Sequence, residues 1–510
     1  MKKEAISMSR RISRRGFLKA VGAGSVVFGL GGESALSARS GGARPNLLII
    51  HTDEHNFRTL GCYRKLLSED QAFVWGKGVA VETPNIDWIA DNGATCTGFY
   101  ATTPVCSPSR GAFVSGVYPQ NTPVVNNGIP LNDNIVTFAE VLRRRGYATG
   151  YAGKWHLDGQ GKPQWEPTRK FGFQDNRYMF NRGHWKQLED TAAGPRVKAR
   201  NAQDKPSYGV DGADEKSFTT DFLADKTVEF IEKHKNEAFC FMVSIPDPHG
   251  PNTVRPPYDT MFDHLKFQAP RTMNKPAESA PKWGKKEASK LNPAQMSKYF
   301  GMVKCIDDNV GKILAALRVG GILDRTIVIF TSDHGDMCGE HGRHNKGVPY
   351  ETSAKIPFVI YFKGKVKAGT VVREALSCVD FRPTILNLMG FATGGSVEGR
   401  DASALLATGK APATWKDVAF MRSTGGKPGQ ANWLAVVTHR YKLVYSALDD
   451  PWLFDLEKDP DELTNFFGDP TYQRTVRELS KALLEYGRKH KDPYIDHPAV
   501  KKDLLPASGQ

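Results

Sequence analysis

Two stretches, "RPNLLIIHTDEH" (44–55) and "RTIVIFTSDHGD" (325–336), run apolar for several residues and then stop abruptly on acids and histidine. An apolar run without polar alternation fits a strand buried on both faces, as in a parallel sheet covered by helices. A third run, "AFCFMVSIPDPH" (238–249), ends the same way. In open α/β sheets, residues that follow such strands gather outside the carboxyl edge, where sites form. These runs therefore predict both a fold and the edge of it where the chemistry lies.

The segments between them alternate helix and strand. "NIVTFAEVLRRRGYATGYAGKWH" (134–156) reads as a helix stopped at Gly146 and then a strand. "TTDFLADKTVEFIEKH" (219–234) and 296–321 read as helices, and "KIPFVIYFKG" (355–364) as a further strand. The predicted fold is α/β: a large, mostly parallel central sheet sandwiched by helices. Beyond about residue 415 the pattern changes. "NWLAVVTHRYKLVYS" (432–446) alternates like a hairpin, and Val476, Leu479, Leu483 and Tyr486 mark one face of a helix. This predicts a smaller C-terminal α+β subdomain with a short antiparallel sheet. The expected organisation is a signal over 1–38, a catalytic domain over 44–414, the subdomain over 415–500 and a tail over 501–510. Residues 159–185 and the Pro- and Lys-rich 250–294 read as long loops, which in compact domains commonly carry function.

The formal charge of the 510-residue chain is +14, but residues 1–40 hold eight Lys or Arg against two Glu, leaving +8 for the rest. The basic cluster has its own explanation. "SRRGFLK" precedes the short apolar run "AVGAGSVVFGL" and small residues through Ala38, the pattern of a twin-arginine export signal. The expected partner there is the Tat translocase, and the expected location is periplasmic or secreted. No later stretch has the roughly 18 apolar residues of a membrane helix, so no stable span is expected. The remaining excess reads mainly as solvated surface charge, compatible with an anionic substrate and calling for no nucleic acid. Seven scattered cysteines include no CxxC pair, and an odd number leaves at least one outside any intramolecular disulfide.

At the predicted edge, Asp53 and Glu54 follow one strand, and Asp333 and His334 another. Carboxylates converging there call for a cation, and oxygen ligands suit a hard divalent ion such as Ca²⁺ or Mg²⁺. Lys154 and His156 lie two apart in "AGKWHLDG", His249 ends a buried strand, and "EHGRHNKG" brings Lys346 with His341 and His344 nearby. Each of these alone is weak, since a single His is commonly structural and a single Lys solvated. Cations beside a metal at a sheet edge suit a tetrahedral oxyanion, sulfate or phosphate.

Cys106 sits in "TTPVCSPSRG" (102–111), a turn-rich stretch that resembles the C-x-P-S-R-G signature of the formylglycine-dependent (type I) sulfatases of the alkaline phosphatase superfamily. The likeness extends in order through "TDEHNFRTLGCYR", "TFAEVLRRRGYATGYAGKWHL", "DHGDMCGEHG" and "LFDLEKDPDELTNFF". The resemblance implies that a formylglycine-generating enzyme oxidises Cys106 to 3-oxoalanine, whose hydrate is the nucleophile: one hydroxyl attacks sulfur and the other drives sulfate release. It implies one metal, Ca²⁺ with Mn²⁺ or Mg²⁺ as alternatives, held by Asp53, Glu54, the modified Cys106, Asp333 and His334. Arg110 would hold the hydrate, and Lys154 and Lys346 the sulfate oxygens. His249 would protonate the leaving alcohol, and His156 would take the proton released with sulfate. Two departures stand out: many relatives carry Asp where this chain has Glu54, and Asn where it has His334. An imidazole ligand softens the preference for Ca²⁺ and favours Mn²⁺.

The expected activity is hydrolysis of a sulfate ester, of a sulfated carbohydrate in an exported protein. Trp155, Trp165, Trp185 and Trp283 lie in or beside the predicted loops, as a sugar platform or as packing. The alternatives are a phosphodiester or phosphonate monoester hydrolase of the same superfamily, and a non-catalytic binder of sulfated glycans.

Overall fold

Every residue of the strand Asn46–Asp53 (β1) is buried. Its side chains alternate between two cores. Leu47 and Ile49 pack in a cluster with Phe113, Phe138 and Phe381, and Leu48 and Ile50 in another with Phe241, Ile313 and Leu317. A strand covered on both faces has no room for polar alternation, which is why its sequence is a continuous apolar run. The computed structural model describes residues 44–275, 280–285, 287, 290–424 and 433–510. The export signal expected over 1–38 lies outside them.

Seven further strands join β1: Ala94–Cys96 (β2), Ala148–Lys154 (β3), Met179–Phe180 (β4), Phe239–Pro248 (β5), Thr326–Ser332 (β6), Phe358–Tyr361 (β7) and Thr370–Val372 (β8). Their order is β8-β2-β7-β6-β1-β5-β3-β4. Pairings are parallel except those of β7, which runs against both β6 and β2. Helices cover both faces: Pro84–Asp91 (α1), Cys106–Ser115 (α2), Phe138–Arg144 (α3), Thr219–His234 (α4), Pro293–Val319 (α5) and Phe381–Leu388 (α6). The mostly parallel sandwich expected from the sequence is thus the observed fold. The run 250–292 forms only turns and short 3-10 helices among its described residues, and α5 begins at Pro293.

A second sheet follows, four-stranded and antiparallel in chain order: Ala419–Arg422 (β9), Trp433–Val437 (β10), Tyr441–Ser446 (β11) and Trp452–Asp455 (β12). Strand β10 again serves two layers. Leu434 and Val436 pack in the cluster holding Leu479 and Leu483 of the helix Gln473–Lys489 (α7). Trp433, Ala435 and Val437 face Tyr350 and Phe454. Residues 501–508, expected as tail, complete the helix Pro498–Ser508 (α8), whose Val500 and Leu504 join the same layer as α7. That apolar pair at helical spacing had a partner surface to cover. All seven cysteines are buried and free. No helix among the described residues is long and apolar enough to cross a membrane.

Candidate active site

Parallel register assembles the site. Thr52 of β1 lies beside Ser332 of β6, while Ser244 of β5 lies beside both His51 and Gly153 of β3. The next residues along, Asp53, Asp333 and Lys154, therefore emerge side by side at the carboxyl edge. Sequence reasoning needed only the strand ends to find them.

Cys106 reaches the same point from a helix. The stretch around it was expected as a turn; instead Cys106–Ser115 is the ten-residue α2, buried throughout, and it stops at Gly116 in the left-handed conformation (φ 70°). Pro108 misleads because it falls in the first turn, where backbone N–H groups have no intrahelical acceptor and a missing one costs nothing. Cys106 is the first helical residue, and the side chain of Arg110, one turn on, points to the same edge.

Asp53, Cys106, Asp333 and His334 each offer a ligand atom, and these atoms lie within 4.8 Å of one another. Arg110 binds the two carboxylates together: Nε donates to Asp333 Oδ2 at 2.8 Å and Nη2 to Asp53 Oδ2 at 3.0 Å. Its Nη1 donates to Lys154 O at 2.8 Å and Ser244 Oγ at 2.7 Å. Burial opposes the guanidinium charge, but Asp333 and Asp53 outweigh it and raise the Arg110 pKa. Burial likewise opposes the Asp53 carboxylate, and Lys154 and Arg110 hold it well below the usual range. For Asp333, burial and Asp53 work against ionisation, while His334 and Arg110 restore it and the pKa lies below normal.

His334 Nδ1–H donates to Gly335 O at 3.0 Å, which orients the ring so that Nε2 lies 3.2 Å from Cys106 Sγ. The Cys106 thiol is pushed up by burial and by Asp53, against the pull of Lys154 and Lys346. A thiol held neutral is a poor nucleophile and a poor ligand.

Glu54 stands apart from the four. In the left-handed conformation (φ 63°), it turns Oε2 towards Lys346 Nζ at 2.9 Å and His249 Nε2 at 2.8 Å. Burial opposes its charge, yet His249 and Lys346 lower its pKa. In return Glu54 lifts the His249 pKa above normal despite burial. Lys346 Nζ also lies 2.7 Å from His249 Nε2. The other carboxylate oxygen, Glu54 Oε1, is buried without a hydrogen-bond partner. His156 lies just past β3 with φ 62°; both its ring nitrogens are buried and unpartnered. Burial, then Lys154 and Arg110, hold it neutral.

The donor set fits a divalent cation. It comprises two ionised carboxylates, an imidazole nitrogen and residue 106; Glu54, next in sequence to Asp53 but outside the four, keeps Oε1 unpartnered. A second group, Asp53 with His184 and His249, has ligand spacing too, but Lys154 Nζ bonds to Asp53 and His184, and Lys346 Nζ lies 2.7 Å from His249 Nε2. The two ammonium groups take the space of a second metal ion.

Not every expected residue arrives. His341 stacks on Tyr350 at 3.7 Å and accepts from Lys275, and burial beside Lys275 keeps it neutral. Trp155, Trp185 and Trp283 are buried, so they pack rather than present a sugar platform, while Trp165 is half-buried against Phe180. One residue that sequence reasoning missed does arrive: His184, from the loop after β4, stacks on His249 with ring centroids 3.6 Å apart.

Comparisons with known proteins agree with this geometry. A family model described as Sulfatase matches residues 45–391, and one described as N-sulphoglucosamine sulphohydrolase, C-terminal, matches 339–489. An N-acetylglucosamine-6-O-sulfatase of Bacteroides thetaiotaomicron is 26% identical, covering 91% of this chain and 89% of its own. An ulvan-active sulfatase of Formosa agariphila is 26% identical over 89% of this chain and 84% of its own. The crystal structure of a putative sulfatase yidJ from Bacteroides fragilis superposes with a TM-score of 0.73 at 26% identity, covering 91% and 99% of the two chains.

Proposed function

Because this chain belongs to the sulfatase family and is a hydrolase acting on sulfuric esters, we propose that it removes sulfate from a carbohydrate, using an aldehyde made from Cys106. The observation that carries this reading is the thiol itself. Cys106 lies at the head of a buried helix among Asp53, Asp333 and His334, and its surroundings suppress the thiolate. A cysteine destined to act as a thiolate would be placed the other way, in a setting that lowers its pKa. Once oxidised by a formylglycine-generating enzyme, residue 106 supplies a hydrated aldehyde whose two hydroxyls divide attack from release.

The remaining residues take the roles that the family resemblance implies, and their contacts support these roles. Asp53, Asp333, His334 and residue 106, joined by Glu54 through its unpartnered Oε1, would hold the divalent ion, for which Ca²⁺ is proposed and Mn²⁺ is the alternative that His334 favours. The ion supplies Lewis-acid polarisation of a sulfate oxygen and lowers the pKa of the hydrate. Arg110 holds both carboxylates in place and offsets their negative charge. Lys154 and Lys346 offer ammonium protons to sulfate oxygens, each contact being worth on the order of 3 kcal/mol in the transition state. His249, whose charged form is favoured by Glu54, is the proton donor to the leaving alcohol. His156, neutral and with both ring nitrogens free, is the acceptor for the proton lost on sulfate release. The carbohydrate substrate rests on the N-acetylglucosamine-6-O-sulfatase and the ulvan-active sulfatase among its relatives.

The test has two parts. Mass spectrometry of the peptide containing Cys106, after expression with a formylglycine-generating enzyme, should show the aldehyde in place of the thiol. Sulfate release should then be measured on 4-nitrophenyl sulfate and on defined sulfated saccharides, with an aryl phosphodiester as the competing substrate. A fully active preparation with an intact thiol overturns the Cys106 assignment. Faster turnover of the phosphodiester overturns the sulfatase assignment. Chelation followed by return of Ca²⁺, Mn²⁺ or Mg²⁺ identifies the ion.

A further inference from the structure

His184 lies on a short loop with unusually firm supports. Gly183 precedes it at φ 122°, and a Cβ there would meet the Trp185 ring at 2.3 Å, so only glycine allows the turn. On one side, Asn181 is buried and its Nδ2 donates to Gly159 O and Gly161 O, both at 3.1 Å. On the other, Trp185 is buried with Nε1 donating to Arg182 O. Next comes Lys186, fully buried, whose Nζ binds Asp247 Oδ1 at 2.6 Å and His249 O at 3.3 Å. The loop is therefore stitched to the end of β5 that carries His249, and the two imidazoles are held face to face, 3.6 Å apart and 10° from parallel.

The second contact of the ring fixes its tautomer. His184 Nε2 lies 2.8 Å from Lys154 Nζ. An ammonium group has no lone pair, so Nε2 must accept and the ring proton sits on Nδ1. Burial, Lys154 and His249 all disfavour the imidazolium, in keeping with that state. Lys154 thus divides its protons between Asp53 Oδ2 and His184 Nε2, with Cys106 Sγ at 3.8 Å.

We propose that His184 is a positioning residue for the hydrolysis, holding the Lys154 ammonium by accepting its hydrogen bond and setting the His249 ring plane by stacking on it. The inference rests on the sulfatase reading above and goes beyond it by assigning two separable duties to one side chain. The acceptor duty serves the sulfate end of the ester, because Lys154 faces residue 106. The stacking duty serves the alcohol end, because His249 gives the proton to the leaving oxygen.

The two duties separate in a series of phenyl sulfates of graded leaving-group acidity, from 4-nitrophenyl to unsubstituted phenyl. A phenolate that leaves unaided tests the sulfate end alone, and a poorer one also tests the proton donor. His184→Ala should lower kcat by about 10²-fold on phenyl sulfate, the size of loss that a misplaced catalytic group produces. The loss on 4-nitrophenyl sulfate should be smaller, so that rate falls more steeply with leaving-group basicity. His184→Phe keeps a stacking ring without the acceptor; it should lose rate across the series at an unchanged slope. His184→Gln keeps an acceptor without the ring; it should keep its rate on 4-nitrophenyl sulfate and show the steep slope. Conversion of Cys106, read by mass spectrometry, and the melting temperature are followed in every variant. Wild-type kcat and slope in folded His184→Ala, or a rise in KM alone in all three variants, overturns the proposal. If the converted wild-type enzyme releases sulfate neither from these aryl esters nor from the sulfated saccharides, the sulfatase reading falls first and this inference with it.

Discussion

Two of the clusters of buried charge among the described residues are built to opposite specifications. One is the carboxyl-edge site. The other is a knot beneath the C-terminal sheet, where Lys442 of β11 is fully buried between Glu351 and Glu462 at 2.6 and 2.8 Å. Lys355 pairs with the outer oxygen of Glu351, and Tyr100 donates to the same oxygen. Glu462 Oε2 accepts from the Glu351 backbone N–H. In the knot, two lysines meet two glutamates and each charge is answered by another side chain. Burial opposes the Glu351 carboxylate, but Lys355 and Lys442 bring its pKa down to about 2. The site is also close to balanced, with Asp53, Glu54 and Asp333 against Arg110, Lys154 and Lys346. Yet it keeps unanswered atoms, Glu54 Oε1 and both ring nitrogens of His156, out of reach of solvent. Unpaired buried polar atoms are costly. The Lys442 shell holds one such atom, Glu351 Oε1, but Lys442 Nζ answers its charge at 2.6 Å, whereas the site keeps its atoms open where an ion and an ester would bind, and that separates a site from a support.

Removing Cys106 strikes the first cluster alone and should give the largest effect. Cys106→Ala should lower sulfate release from 4-nitrophenyl sulfate by at least about 10³-fold, as loss of a covalent nucleophile does. The melting temperature should move by no more than about 3 °C, because the side chain holds no charge pair. Release within tenfold of wild type would remove residue 106 from the chemistry.

Matched lysine substitutions sharpen the contrast. Lys442→Met leaves Glu462 without its lysine and Glu351 with Lys355 alone, and should cost about 3–5 kcal/mol of stability, measured by urea denaturation. Lys154→Met removes one partner of Asp53, whose other partner Arg110 remains, so its stability cost should be the smaller of the two. The order reverses for catalysis, where Lys154→Met should cost more in kcat than Lys442→Met. Equal stability costs would erase the distinction between the clusters.

A smaller effect is read from pH. His51, inside β1, has both ring nitrogens buried without partners, and burial, then Arg110, brings its pKa down to about 3. His55 is also held at about 3, by burial. Each is neutral in the fold, whereas the unfolded chain takes up protons below about 6.5. Stability is therefore unaffected above that pH and falls as pH drops from about 6.5 towards 3. His51→Met, similar in bulk and without a titrating group, should flatten the slope of melting temperature against pH over that window. An unchanged slope would show that His51 is charged in the folded protein.

How legible all this was in the sequence depends on how each residue is carried. Asp53, Asp333, His334 and His249 end apolar strands, and an apolar run stopped by charge needs no knowledge of tertiary structure to be noticed. Cys106 and Arg110 came from a family signature, and their local structure was misread because Pro108 and Gly111 look like a turn unless the helix start is known. His184 had no such cue. It sits in "NRGHW", inside a long loop, and only the pairing of β4 with β3 and the Lys186–Asp247 bond bring it to His249. The knot was equally hidden: Lys442 reads as the polar member of an alternating strand, and its partners come from distant segments.

The two clusters are nevertheless joined, and the weakest perturbation tests the joint. Lys442 Nζ donates to Pro349 O at 2.8 Å, and Trp433 Nε1 of β10 donates to Gly347 O at 3.3 Å. Both acceptors lie within three residues of Lys346, whose ammonium meets Glu54 and His249. The C-terminal sheet thus holds the backbone from which Lys346, the lysine proposed to bind sulfate, projects. Trp433→Phe keeps the packed ring against Tyr350 and removes only the donor, so it should cost about 1 kcal/mol of stability. If that bond places Lys346, kcat on 4-nitrophenyl sulfate should fall several-fold with chelator sensitivity unchanged, since the metal ligands are untouched. Lys442→Met should then lower kcat further than Trp433→Phe does, because it releases Pro349 as well as the knot. Wild-type kcat in both folded variants would mean that Lys346 is placed by its own ion pairs with Glu54, and that the two clusters share a protein without sharing a task.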